Sequence, residues 1–294
     1  LSGTHGYKKI LIDARRRVVD NLSEVRVPVD GKDVHLTIDK RLQHVAFQSL
    51  KKTINDSEAI SGSAILIDSK TGEILTMVNY PSFNPNERMR KRSPFVKNRV
   101  ITDAFEPGST MKPISIAAAL EKRVVNVNTK IDTGNGFYKV GGTAIRDTKP
   151  HGIISVKEIL QTSSNIGVTK IAEKLSKKYL WQTYSNFGIG NLTGANLPGE
   201  SKGVMRDHES WKKRDHFSAS YGYSVSTTVA QLARAYTPFA NKGEIKNLRL
   251  FKNDPIKIGQ RVLSIKTSEA VLKIMESVTE EGGTAIQASI PGYR

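Results

Sequence analysis

The 294-residue chain contains no cysteine, which excludes a disulfide framework, a thiolate metal site and a cysteine nucleophile. Nor does it contain a run approaching the roughly eighteen consecutive apolar residues that a membrane-spanning helix needs, and no signal-peptide pattern opens it. Other chemistries lack their signatures too. There is no G-x-S-x-G nucleophile elbow, no H-E-x-x-H metal helix and no P-loop, and none of the six histidines has a context suggesting a Ser-His-Asp arrangement. Helix-turn-helix, zinc and aromatic-stacking patterns are missing as well, so nucleic-acid binding would rest on charge alone. No internal repeat or low-complexity tract interrupts the chain.

What is present describes a globular protein. Its length leaves room for one large domain or two small ones, and a hydrophobic content of 38% is enough to build a core. The formal charge of +17 favours anionic surroundings, but the basic residues are dispersed. Their densest cluster runs from Arg88 to Arg99, and a solvated basic face is the preferred reading. The chain opens on Leu1 rather than methionine, and its first residues are strand-like without a core of their own. Residues 1–30 are therefore expected to be the tail of a preceding module.

Hydrophobic periodicity then divides the chain. Val34, Leu36 and Ile38 alternate with polar residues, predicting a half-buried strand. Asp39 can cap a helix whose apolar face is Leu42, Val45, Ala46, Leu50 and Ile54. Residues 63–80 are two apolar runs around DSKTGE, a hairpin signal, and a second, smaller hairpin turns at Gly141-Gly142. Ser155 with Glu158 forms a capping box opening a helical region broken by TSSN. Further helices are expected over Ser226 to Asn241 and over Thr267 to Glu280, the latter with a stripe of Val271, Leu272, Met275 and Val278.

Chemistry enters at FEPGSTMKP, residues 105–113. Ser109 lies three positions before Lys112 at the start of an apolar helix, just after a Pro-Gly turn. Residues i and i+3 share a helix face, so the Lys112 amine can take the Ser109 proton, the requirement for an activated serine. A lysine acts as a base only when burial or a neighbouring cation lowers its pKa, and the following PISIAAAL can supply that burial. Spacing alone decides nothing, because Ser49/Lys52 and Ser210/Lys213 repeat it. A second polar element, Ser163-Ser164-Asn165, offers hydroxyls and an amide able to relay a proton and hold a substrate amide, although Ser and Asn also serve as ordinary helix caps.

Together these elements resemble the transpeptidases of the penicillin-binding proteins, which share S-x-x-K, S-x-N and K-T-G elements with the serine β-lactamases. NRVITDAFEPGSTMKP, YPSFNPN, TSSNIGV, TGANLPGE and YGYSVSTTVAQLARAY resemble the class B branch in order and spacing, and among its members the division-specific penicillin-binding protein 3 group. NLPGE, and the lack of an E-x-x-L-N segment after TSSN, speak against a class A β-lactamase.

The resemblance implies an α+β fold, a central antiparallel sheet flanked by helices, over residues 31–294, with residues 1–30 closing a non-catalytic pedestal. It implies that Ser109 attacks the penultimate D-Ala carbonyl of a peptidoglycan stem peptide, with Lys112 as base, Ser163 as proton shuttle, and Asn165 holding both the substrate amide and Lys112. The Ser109 amide would form half of the oxyanion hole. Ser164, Tyr221 and Gly222 are expected to contribute to substrate binding, and Glu106 to be structural. No cofactor or metal is implied. The implied partners are stem peptides, β-lactams, divisome membrane proteins and a glycosyltransferase, and the implied location is the bacterial inner membrane with the catalytic domain in the periplasm. The K-T-G strand and its neighbours are expected beyond Arg294. Lys70-Thr71-Gly72 is read as a hairpin turn, and the hydroxyls of Thr267 and Ser268 as helix caps. A non-catalytic scaffold or β-lactam sensor of the same fold is the alternative.

Overall fold

The computed structural model describes residues 2–87 and 94–293. Positions 88–93 of the basic cluster lie outside the described residues. The chain divides into two compact units, one formed by residues 1–36 with 251–254 and the other by the rest.

In the first unit, β1 (Tyr7–Ile12) pairs antiparallel with β2 (Val18–Arg26), with register irregularities at Lys8/Lys9 and Leu11/Ile12. Ile10, Leu11, Ile12, Val18 and Val19 are all exposed, so the hairpin builds no core. The strand expected over residues 34–38 does not form. Leu36 makes one isolated antiparallel bridge to Phe251, and both Val34 and Leu36 are exposed. Alternation makes the backbone extended, but a ladder also needs a neighbouring strand.

The second unit begins at Thr37, whose hydroxyl donates to Ile74 O at 2.7 Å and whose amide donates to Leu250 O at 2.8 Å. Asp39 then caps α1 (Lys40–Asp56), accepting from the amides of Arg41 and Leu42. The inward face of α1 is rotated from the expected stripe: Leu42 and Val45 are exposed, while Gln43, Phe47, Leu50 and Ile54 are partly covered. Gln43 explains the rotation. Its side-chain amide accepts from Met77 N and donates to Met77 O, both at 2.9 Å, satisfying outward-facing backbone groups of β4 that would otherwise be an open edge. The expected hairpin is present as β3 (Gly62–Ile67) and β4 (Ile74–Tyr80), antiparallel. Its turn consumes the Lys70-Thr71-Gly72 triplet: Asp68 accepts from the amides of Lys70 and Thr71, and Gly72 adopts φ +77°.

After a short helix α2 (Arg99–Thr102) comes α3 (Lys112–Glu121), buried at every position from Lys112 to Ala119. A helix apolar on all sides is a central one, and α3 packs against helices from three other parts of the chain. Around it the chain runs through β5 (Lys130–Asp132), the hairpin β6 (Phe137–Val140) and β7 (Thr143–Arg146), and β8 (Ile153–Ser155), which pairs with β5. There follow α4 (Val156–Gln161), α5 (Asn165–Ala172), α6 (Lys177–Asn186) and α7 (Lys213–Ser220). Then come α8 (Val229–Ala240), the short antiparallel pair β9 (Glu244–Ile245) and β10 (Gln260–Arg261), and α9 (Ile265–Glu276). The Ser155/Glu158 capping box is present.

Two helix starts differ from expectation. α8 begins three residues later than Ser226, because Ser226 and Thr227 are used in bridges to Val204 and Phe105 and Thr228 becomes the cap. α9 begins two residues before Thr267, capped by Ser264 rather than by Thr267 or Ser268. Its buried stripe is Val271 and Ile274, continued by the half-buried Met275 and Val278, while Leu272 faces outward.

Candidate active site

Three constraints shape the turn that carries Ser109. Gly108 adopts φ +58°, a left-handed conformation that glycine enters without steric cost, and its amide donates to Gly222 O at 3.0 Å. Tyr236 on α8 donates to Thr110 O at 2.8 Å, and Phe105 pairs with Thr227 in an isolated bridge. The residues Gly108–Met111 form a single 3₁₀ turn whose Ser109 carbonyl accepts from the Lys112 amide. This turn hands the chain directly to α3, with Pro113 in the helix's first turn, where a missing N–H costs nothing. Ser109 is exposed, and its amide finds no acceptor among the described residues, leaving that donor free for a developing oxyanion.

Lys112 is the opposite of exposed. Its relative exposure is 1%, and its amine donates to Ser163 O at 2.5 Å and Ser163 Oγ at 2.9 Å. Burial pushes its pKa down from the usual 10.5 to about 8, a shift that the negative charge of Asp147 opposes. A group with that pKa keeps an appreciable free-amine fraction near neutrality, which a surface lysine does not.

Ser163 reaches Lys112 from the break between α4 and α5. It holds φ +58°, a left-handed conformation uncommon for any residue but glycine, and such strain gathers at functional sites. Ser109 and Ser163 line one cleft of about 320 Å³, which Tyr236, Met275 and Val278 help to close. The contact to Lys112 expected of Asn165 is made by Ser163 instead. The Asn165 side chain, half-buried, donates to Arg146 O at 3.0 Å.

Ser164, expected at the substrate, turns inward. It is 1% exposed; its hydroxyl donates to Asp147 Oδ2 at 2.6 Å and accepts from the Gly167 amide at 2.8 Å, so it caps α5. Gly222, at φ +87°, lies against the Gly108 backbone closely enough that a Cβ would overlap the Gly108 carbonyl. Its place is beneath the Ser109 turn rather than at a substrate. Tyr221 packs half-buried on the core, edge to face with Tyr223. Glu106 accepts from the Ser224 amide at 3.0 Å, the structural role expected of it.

Two groups escaped the sequence reading. Asp147, just after β7, accepts from Ser164 Oγ and from the amides of Asn165 and Ile166. Tyr184 of α6, fully buried, joins Ser115 Oγ at 2.7 Å and donates to Ala219 O at 2.9 Å, while Ser115 donates to Ser220 O at 2.7 Å. This network ties α3, one turn past Lys112, to the end of α7 that leads into Gly222. Neither residue has a local signal, since each acts on partners 17 or more positions away.

Comparison with known proteins agrees with this geometry. Residues 62–294 match the penicillin binding protein transpeptidase domain family. The chain is 36% identical over its whole length to the probable peptidoglycan D,D-transpeptidase PenA of Neisseria flavescens, covering 73% of that protein. It is also 36% identical over its whole length to the peptidoglycan D,D-transpeptidase FtsI of Escherichia coli, covering 50% of it. The chain thus spans about half the length of most of these curated relatives. Among solved structures, the transpeptidase domain of Burkholderia pseudomallei penicillin-binding protein 3 superimposes with a TM-score of 0.81 at 38% identity, over 88% of this chain and 74% of that one. With the family match over most of the chain, the fold likeness and the two serine elements meeting at a buried lysine, the chain belongs to the transpeptidase domain family of the class B penicillin-binding proteins.

Proposed function

We propose that this chain catalyses acyl transfer from D-Ala-D-Ala-terminated stem peptides, the D,D-transpeptidation that cross-links peptidoglycan. The observation that carries the reading is the buried Lys112 amine, held 2.9 Å from Ser163 Oγ at the foot of the Ser109 turn. In the first half-reaction Ser109 Oγ attacks the carbonyl of the penultimate D-Ala and gives its proton to the Lys112 amine. The tetrahedral oxyanion is stabilised by the Ser109 N–H. Collapse breaks the peptide bond, and the leaving D-Ala amine takes a proton relayed from Lys112 through Ser163. In the second half-reaction the amine of a neighbouring stem peptide attacks the acyl-enzyme ester, loses its proton along the reverse route and releases Ser109.

Asn165, two residues after Ser163, is proposed to bind the substrate amide by exchanging its Arg146 partner. Tyr221 is proposed to border the bound substrate. A β-lactam would acylate Ser109 by the first half-reaction alone, the ring opening in place of D-Ala release. By the same reading the intact protein works at the division septum with divisome and glycosyltransferase partners. It would be anchored in the inner membrane with this domain in the periplasm, and residues 1–30 would be the end of a non-catalytic pedestal module.

A fluorescent penicillin incubated with the intact protein, followed by peptide mass spectrometry, tests the reading. One adduct on the peptide carrying Ser109 supports it; an intact protein that forms no adduct sinks it.

A further inference from the structure

The carboxyl end of α3 closes in a motif that ordinarily selects glycine. Past the cap at Lys122, the amide of Arg123 donates to Leu120 O at 3.0 Å and that of Val124 to Ala119 O at 3.1 Å. These are the two bonds of a helix end whose first outside residue turns left-handed. Arg123 occupies that position at φ +58°. Glycine takes this conformation without steric cost and arginine does not, so the backbone gives no reason for the side chain. Nor does the surrounding fold, because among the described residues the guanidinium makes no hydrogen bond or ion pair.

Arg123 instead lines a cavity of about 540 Å³, larger than the 320 Å³ cleft beside Ser109. Its walls are the end of α3 with the segment that follows, and the start of α9. Glu121 fastens the two walls together, accepting from Ser264 N at 3.2 Å and from Ser264 Oγ at 2.9 Å, so its carboxylate is already engaged. Lys266 comes from the α9 wall, exposed and, like Arg123, without a protein partner among the described residues. Leu120, Val124, Val127 and Ala270 make the lining apolar in part. A hollow of this size with apolar walls and a few polar groups is the form of a small-molecule site, and an unpaired guanidinium is suited to a carboxylate or phosphate.

We propose that this cavity is a second ligand site, which takes a small organic anion. A carboxylate or phosphate head sits between Arg123 and Lys266, and a compact apolar body lies against Leu120, Val124, Val127 and Ala270. The site is separate from the acyl-transfer cleft: α3 presents Lys112 at its first residue and ends at the cavity ten residues later, about 15 Å along the helix axis. It therefore stands apart from the acyl-transfer reading and does not depend on it.

The test is a ligand-observed NMR titration of the intact protein with 4-phenylbutyrate and with phenyl phosphate, which carry the two head groups, and with 4-phenylbutanol as an uncharged counterpart. At least one anion is expected to saturate the protein, and the alcohol to bind about tenfold more weakly or worse. Arg123→Gly removes the guanidinium and gives the left-handed position the residue it favours. That variant is expected to melt no lower than wild type while binding the anion about tenfold more weakly. Lys266→Gln is expected to weaken binding severalfold. Lys51→Gln combined with Lys52→Gln removes two exposed charges from α1 and is expected to bind as wild type does, which separates a site from the general attraction of a chain with a charge of +17.

Failure of both anions to saturate the protein up to roughly 10 mM overturns the proposal. So does an Arg123→Gly variant that binds like wild type, or an α1 double variant that loses as much affinity as Arg123→Gly. Protein whose Ser109 has first been blocked by a penicillin should bind the anion unchanged; loss of binding there would put the anion in the catalytic cleft and overturn the proposal too. A protein that no penicillin acylates removes the acyl-transfer reading and leaves the comparison of variants standing.

Discussion

Ser49/Lys52 on α1 and Ser109/Lys112 at the head of α3 have the same spacing and opposite chemistry. Lys52 projects with 77% of its side chain exposed and pairs with Asp56. Lys112 is 1% exposed, and among the described residues its amine is held by Ser163 rather than by a carboxylate. The difference comes from the two helices. α1 has no fully buried residue, whereas eight consecutive residues of α3 are buried. A serine-lysine pair becomes reactive where the helix carrying it is forced into the interior, because there the charged amine loses its hydration and the neutral one does not. The third pair, Ser210/Lys213, falls on the outer side, its serine hydroxyl spent on Asp207 O.

Five substitutions sharpen that contrast, beginning with the largest effect. Ser109→Ala should abolish penicillin labelling, a loss on the order of a thousandfold or more, while Ser49→Ala and Ser210→Ala label at the wild-type rate in the same gel assay. Lys112→Met should cut acylation by about two to four orders of magnitude, and Lys52→Met should leave it unchanged.

The lysine variant also separates function from stability. With a folded pKa of about 8 against roughly 10.5 in the unfolded chain, the unfolded state binds more protons between those values. Stability therefore rises with pH across that window. Below pH 8 the folded protein carries the full cost of a buried cation, so Lys112→Met should melt at a higher temperature than wild type at pH 7, and the rise in stability from pH 8 to 10 should disappear. A variant melting lower at pH 7 would show that the amine stabilises the fold.

Smaller effects test how the site is held. Gly222→Ala forces a Cβ against the Gly108 carbonyl at a φ of +87°, and should cost about 1–3 kcal/mol in urea unfolding together with a fall in acylation. Tyr184→Phe strips the hydroxyl from Ser115 and Ala219 O and should cost about 1 kcal/mol. It should slow acylation less than Gly222→Ala, because α3 stays packed on its apolar faces.

How far the sequence reveals this site depends on the range of the interactions. Ser109, Lys112 and Ser163 can be singled out because an apolar helix, a Pro-Gly turn and a polar break between helices are local patterns; that Lys112 is held by Ser163 rather than Asn165 is not legible. The α1 and hairpin boundaries and the Ser155 capping box are legible for the same reason. Asp147 and Tyr184 are not, since hydrogen bonds spanning 17 and 69 residues leave no periodicity to read. Ser164 is misread because a cap and a substrate ligand use the same hydroxyl, and burial alone tells them apart. The stripe of α1 is misplaced by Gln43, a polar residue turned inward to serve a strand edge. Pattern counting assigns such a residue to solvent.

The central claim is that burial makes Lys112 a base, and its titration can be observed directly. In protein labelled at the lysine Cε carbon, the resonance of Lys112, assigned by its loss in Lys112→Met, is followed by NMR from pH 6 to 11. A midpoint near 8, well below the usual lysine value of about 10.4, is the expected result. A Lys112 midpoint at or above 10 would contradict the account, because burial would then have left the amine with the ordinary pKa of a solvated lysine.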